Sequence, residues 1–358
     1  MRRTGYLGVS LLLVLTLAAF TLPSFGQAPA QAQAPAQAKQ PQARTQAEYD
    51  AYKALYDATD PAKKAALGEK FLTDFKETDF IANTHTMIIG AYTRAQNWAK
   101  VIEAADRAAA SPVADNKLKA FAYANAMVAA QNMNNIDKLL SYGDKVLAID
   151  PNDLNTMIML SAALPAKLPA DEAGKKAQLD KAAGLANKAL AGIQPLLAQA
   201  PAAQKPQFVQ IESQLHATLG LIAYNRPDYA KSIEEYTAAV KDSPKDDVAH
   251  FYLGLDYQAL AAQASKDYQA AIKAENDAKA AKADQPTIDE LAARRGGLED
   301  DIRKNRDKAI DELAIAVAVG GSVASQAKDA LTRLWTAKND NTNGMEDFIN
   351  QKKQQLSQ

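Results

Sequence analysis

The chain has 358 residues, 47% hydrophobic and 7% aromatic, with 15 prolines that fall mostly between periodic segments and no long alternating β-branched runs, so it reads as all-α. Formal net charge is −1, or −3 without Arg2 and Arg3, and the Lys and Arg are dispersed among Asp and Glu, which leaves no basic footprint for nucleic acid. There is no cysteine, which excludes disulfides, thiolate metal sites, a catalytic Cys and a lipidated N-terminal Cys.

Met1-Arg2-Arg3 followed by the apolar run Tyr6 to Phe20, with Ser24-Phe25-Gly26 as small-residue cleavage context, reads as a signal peptide over 1–26. Export to a periplasm or to the exterior is the expectation. The alternative is a short uncleaved anchor, because the apolar run lies at the lower limit for a membrane span. Arg2-Arg3 suits a twin-arginine signal, but nothing downstream resembles a cofactor site that would require export in the folded state. Residues 27–46, with Pro29, Pro35 and Pro41 among Ala and Gln, are too poor in large apolar side chains to pack and read as an extended linker.

Helical periodicity starts at Tyr49. Tyr49, Tyr52 and Tyr56 predict a first helix, Asp60-Pro61 the start of a second, and Leu67, Phe71, Leu72 and Phe75 its apolar face. Ile89-Gly90-Ala91-Tyr92 with Asn97-Trp98 and Val101-Ile102 predicts a second hairpin. Tyr123, Met127, Ile136, Leu139 and the ending Val146-Leu147-Ala148-Ile149-Asp150-Pro151 predict a third. Met157 and Leu160 open a fourth, whose turn is expanded over Pro165 to Gly174 before a long helix through Leu179, Ala186 and Leu190 to Pro195.

The clearest unit runs from Leu219-Gly220 through Pro227, Tyr229, Ile233, Tyr236 and Val240 to Pro244, and Leu219-Gly220 recurs 34 residues later as Leu253-Gly254. A glycine where helix A crosses helix B lets two backbones approach, Pro227 falls in the intervening turn and is expected to start helix B, and the i, i+4, i+7 stripe on helix B needs a neighbouring hairpin to cover it. This period and residue order resemble the tetratricopeptide repeat (TPR). The resemblance implies an α-solenoid of about six stacked helical hairpins over 47–261, with a groove lined by side chains of the A helices.

The sixth unit is split. Its helix A carries Phe251, Leu253-Gly254 and Tyr257, and Ala309 to Ala316 supplies helix B only after a polar insertion at 262–306. Both helices are therefore predicted to extend into an arm about 30 Å long, at 1.5 Å per residue. Asp284-Gln285-Pro286 marks its turn and Thr287-Ile288-Asp289-Glu290 reads as a capping box. The arm is either a tolerated insertion or a grip for a partner, including a second copy of the chain. Residues 307–358 complete helix B, end it at Gly320-Gly321, and add a closing helix pair around Ala330-Leu331, Leu334-Trp335 and Phe348-Ile349.

No serine-hydrolase elbow, phosphate-binding loop, dinucleotide glycine run or zinc-protease motif is present. His216 and His250 sit at equivalent repeat positions, which points to packing, and His85 stands alone. Asn339-Asp340-Asn341-Thr342-Asn343-Gly344 superficially resembles an EF-hand loop, but it starts on Asn and reaches Asn350 at position twelve, so a turn is the simpler reading. No catalytic, cofactor or metal residue is assigned. By the TPR resemblance the partner groove is lined by Phe121, Ala124, Val128, Gln131 and Asn132; by Gln214, Ala217, Leu221, Tyr224 and Asn225; and by Val248, Phe251, Leu255, Gln258 and Ala259. None is Lys or Arg, so a neutral groove suits a peptide with apolar anchors. The expected protein is an exported, non-catalytic adaptor for a polypeptide partner, with no nucleic acid and no cofactor. A membrane-tethered scaffold and a cell-envelope enzyme using paired carboxylates are the alternatives.

Overall fold

The computed structural model describes residues 41–357, so the expected signal peptide and most of the linker lie outside the described residues. Among the described residues there are fourteen α-helices and no strand. They form two compact units that divide between Leu168 and Pro169, within the expanded turn.

The first unit holds α1 (Gln46–Asp57), α2 (Pro61–Asp74), α3 (Ile81–Arg94), α4 (Trp98–Ala110), α5 (Asn116–Asn132), α6 (Ile136–Ile149) and α7 (Leu154–Ala163), followed by a 3-10 turn at Leu164–Ala166. Each helix packs on the next, and α3 also packs on α5, as the A helices of neighbouring hairpins do. The second unit holds α8 (Glu172–Gln199), α9 (Lys205–Tyr224), α10 (Tyr229–Asp242), α11 (Asp247–Ala280), α12 (Gln285–Val319), α13 (Ala324–Asn339) and α14 (Met345–Gln355). Consecutive helices pack again through α13, α9 meets α11, and α14 closes on α12. Each unit is thus a stack of helical hairpins, the architecture of an α-solenoid.

Local chemistry sets most boundaries. Thr45, Asp60, Asn97, Asp115, Asn135, Asp153, Asp171, Asp228 and Asp246 each accept a hydrogen bond from a backbone N–H of the first turn. Such a cap contributes about 1 kcal/mol. Before two of them, Gln96 and Asn134 adopt left-handed φ of 53° and 52°, so the turns from α3 to α4 and from α5 to α6 are built alike. The alanine richness has a packing role: Ala104, Ala105 and Ala108 in α4, Ala122, Ala126, Ala129 and Ala130 in α5, and Ala182, Ala186 and Ala189 in α8 are all buried. Small side chains on facing helices allow close axes, while Phe71, Phe208, Tyr236 and Leu313 fill the remaining volume.

Three boundaries differ from the sequence expectation. The helix expected to end at Pro195 continues to Gln199, with Pro195 inside α8. Fully buried Ile193 and largely buried Ala200 flank it, and their burial offsets the hydrogen bond that the proline cannot make. The expected capping box does not form: α12 starts at Gln285 with Pro286 in its first turn, which places Thr287 inside the helix. Pro227 does not begin α10, because Asp228 is the cap and Tyr229 the first helical residue.

The long insertion is helical. α11 and α12 run unbroken for 34 and 35 residues and pack along each other around a turn at 281–284. Beyond the hairpin body the arm buries little: Ala264, Ala271 and the stem of Glu275, whose carboxylate pairs with Lys279 at 2.6 Å and, across the helices, with Arg295 at 2.7 Å.

Candidate functional site: the A-helix faces

The repeat glycines define which face of α9 and of α11 is closed. A Cβ built on Gly220 would lie 2.8 Å from the Tyr236 ring of α10, and one on Gly254 would lie 2.5 Å from Leu313 of α12. One residue before each of those partners stands a glutamate, and four residues before each glycine stands a histidine. His216 Nδ1 meets Glu235 at 2.7 Å and His250 Nδ1 meets Glu312 at 2.6 Å, while His250 Nε2 reaches the Pro244 carbonyl at 3.2 Å. Two successive hairpins therefore carry the same device, a glycine crossing braced by a His–Glu clip. The hydrogen bond that His216 donates to Glu235 raises the His216 pKa above the ordinary imidazole value against the opposing effect of burial. For Glu235, burial pushes upward, but His216 and Lys231 together hold the carboxyl below its usual range. His85 has no such partner and burial lowers its pKa.

Other positions of the A helices are partly open. On α5, Phe121, Ala124, Val128 and Gln131 are half-buried and Asn132 is exposed. On α9, Gln214, Ala217, Leu221, Tyr224 and Asn225 are half-buried, as are Val248, Leu255, Gln258 and Ala259 on α11. Phe251 is different: it is 6% exposed and packs edge-on against Tyr252 with ring centres 5.6 Å apart, so it is part of the core and not of an open lining. An aromatic residue one turn from a crossing glycine covers the neighbouring helix more readily than it faces water.

The two terminal asparagines act alike. Asn132 Nδ2 donates to the Val128 carbonyl at 2.9 Å and Asn225 Nδ2 to the Leu221 carbonyl at 2.8 Å, each tying down a last-turn carbonyl and leaving the amide oxygen available. Sequence reasoning missed Asn125, which donates to the Phe121 carbonyl at 2.9 Å and whose Oδ1 lies 3.3 Å from Thr93 Oγ1 of α3, where α3 meets α5. Its signal was the four-residue spacing from Phe121. The α5 residues belong to the first compact unit and those of α9 and α11 to the second.

Among the described residues no group of three or more His, Asp or Glu side chains is placed to hold a metal ion, and no helix is long and apolar enough to cross a membrane. In the Asn339 to Gly344 loop, Asn341 Nδ2 donates to the Asn339 carbonyl at 2.9 Å, Asn341 Oδ1 accepts from the Asn343 N–H at 2.8 Å, and Trp335 Nε1 donates to the Asn343 carbonyl at 3.2 Å. Its oxygens serve the turn.

Stacked helical hairpins, two of which repeat a glycine crossing at a 34-residue spacing, define a tetratricopeptide-like helical-repeat fold. No protein-family description matches the sequence, and no curated protein matches it. Solved structures that it resembles include a tetratricopeptide repeat protein from Parabacteroides merdae, at 11% identity over 81% of this chain and 100% of that one, with a TM-score of 0.42. Another is human IFIT1, a dimer with m7Gppp-AAAA, at 13% identity over 80% of this chain and 63% of that one, with a TM-score of 0.34.

Proposed function

We propose that the protein is an exported, non-catalytic scaffold that holds a polypeptide partner against the open faces of its A helices. The observation that carries this reading is the asymmetry of those helices. On α9 and α11 one side is consumed by glycine crossings and His–Glu clips, whereas Leu221 and Leu255 there, and Val128 on α5, stay partly open beside uncharged amides. Apolar anchors with adaptable amides suit an extended or helical peptide. The titratable side chains best placed for chemistry, His216, Glu235, His250 and Glu312, are spent on bracing one helix against the next. The charged n-region and apolar run at the N-terminus support export.

The test is site-specific photocrosslinking in the native envelope, with a photoreactive amino acid at Val128 or Leu221 and, as control, at exposed Lys138 on α6. A polypeptide captured from both A-helix sites and not from Lys138 is the expected result. Equal capture at all three, or none at the A-helix sites, overturns the groove assignment. N-terminal sequencing of the mature protein tests export, for which a start at Gln27 is expected.

A further inference from the structure

The junction of α9, α10 and α11 encloses an acid that nothing holds. Asp256 on α11 is fully buried, and neither carboxyl oxygen has a hydrogen-bond partner. Tyr224 of α9, Tyr236 of α10 and Tyr252 of α11 lie close enough to feel its charge. The rings are tightly arranged, Tyr236 stacked on Tyr252 at 5.4 Å and Tyr224 edge-on to Tyr252 at 5.0 Å. Ser232 of α10 is the remaining polar neighbour, and its single hydroxyl proton goes to the Gly220 carbonyl at 3.1 Å. The charges on these elements are directed elsewhere. His216 and Lys231 meet Glu235, Asp246 caps α11, and α12 brings Glu312 to His250 and Lys308 over the Tyr257 ring. A buried carboxylate with no cation and no donor is destabilising; the same group protonated is neutral and tolerated.

We propose that Asp256 is a proton-uptake site that tightens the α9–α10–α11 junction in mild acid and loosens it as the medium becomes neutral. Burial pushes its carboxyl up to about 7, with Ser232 acting in the opposite direction. The closed junction therefore keeps a proton that an opened, hydrated junction would release at the ordinary aspartate value of about 3.9. The stabilisation is complete below that value, is lost progressively as pH rises from it to about 7, and changes no further above. The His216–Glu235 clip on α9 and α10 adds its own loss of stability above the ordinary imidazole value, so the Asp256 contribution stands apart from it below about 6.5. Since α11 continues into the arm, an opened junction also loosens the arm at its root.

The experiment uses the full chain labelled with carboxyl-13C aspartate, together with native-state amide exchange of α10 and α11 from pH 4.5 to 8, in the wild type, Asp256→Asn and Asp246→Asn. Asp246 is included because burial also raises its pKa, and Asn preserves its cap. One carboxyl carbon should titrate near neutrality in the wild type and in Asp246→Asn and be absent from Asp256→Asn. Between pH 4.5 and 6, below the His216 window, the opening constant of the junction should rise with pH by about tenfold per unit more in the wild type than in Asp256→Asn. Aspartates that all titrate below about 5, or a slope below pH 6 that is the same in Asp256→Asn as in the wild type, would overturn the proposal. If Asp256→Asn does not fold, the titrations of the other two chains decide: a near-neutral carboxyl in both upholds it, and its absence from either overturns it.

Discussion

The repeat glycines should respond to the same substitution with opposite signs. Gly220→Ala places a Cβ 2.8, 2.8 and 2.9 Å from three ring atoms of Tyr236, where contact between carbons is comfortable at about 3.5–4.0 Å. The ring is 1% exposed and stacked on Tyr252 at an interplanar angle of 3°, so it cannot swing aside without disturbing a second aromatic. Overpacking of this kind costs about 1–3 kcal/mol, while alanine regains about 1 kcal/mol of helix propensity. A net loss of about 0–2 kcal/mol follows. Gly90 stands in a similar Ile-Gly-Ala-Tyr context, but a Cβ there meets nothing within 4 Å, so Gly90→Ala should gain up to about 1 kcal/mol. Urea unfolding, followed by helical circular dichroism at constant slope, measures both. Adding Tyr236→Leu should make Gly220→Ala less harmful than in the wild type, with a coupling of about 0.5–3 kcal/mol. Should Gly220→Ala stabilise as much as Gly90→Ala, or the coupling vanish, the close-crossing explanation of the repeat glycine fails.

Other outcomes follow from the same contacts. The raised His216 pKa contributes stability that is complete below about 6.5 and is lost as pH rises through the folded value. The lowered Glu235 pKa contributes stability present above about 4.3 and lost as pH falls through its folded value. His216→Phe should therefore flatten the decline of thermal stability between pH 6 and 9, which calorimetry would read. Leu160→Ala removes a fully buried side chain that lies where a Cβ of Gly143 would fall, and should cost about 2–5 kcal/mol in a denaturant titration. Arg295→Ala strips Glu275 of its cross-helix partner in the arm and should speed amide exchange near 275 and 295, leaving α9 and α10 unchanged.

Much of the fold was legible because the determinants act over a few residues. Asp60-Pro61, Asn97, Asn135 and Gly320-Gly321 mark helix ends through hydrogen bonds or backbone angles made within a turn. The 34-residue echo of Leu219-Gly220 showed where helices cross. The candidate site was less legible. Position in the repeat placed Val128, Leu221 and Leu255 on half-open faces, but it put Phe251 among them, and only the neighbouring Tyr252 shows that this ring is core. Pro195 and Thr287 misled for a related reason: a proline tolerated by flanking burial and a capping pattern pre-empted by Pro286 depend on what the helix packs against.

By itself, then, the sequence determined the all-helical class, the hairpin period, the arm and the likeness of the two histidine positions, since spacing along the chain carries each of these. The tertiary structure alone decided that His216 and His250 are clipped to Glu235 and Glu312, and that Asp256 is enclosed by tyrosines from three helices without a partner. Those partners lie on separate helices, from 19 residues apart for His216 and Glu235 to 62 for His250 and Glu312, so only the packed chain brings them together.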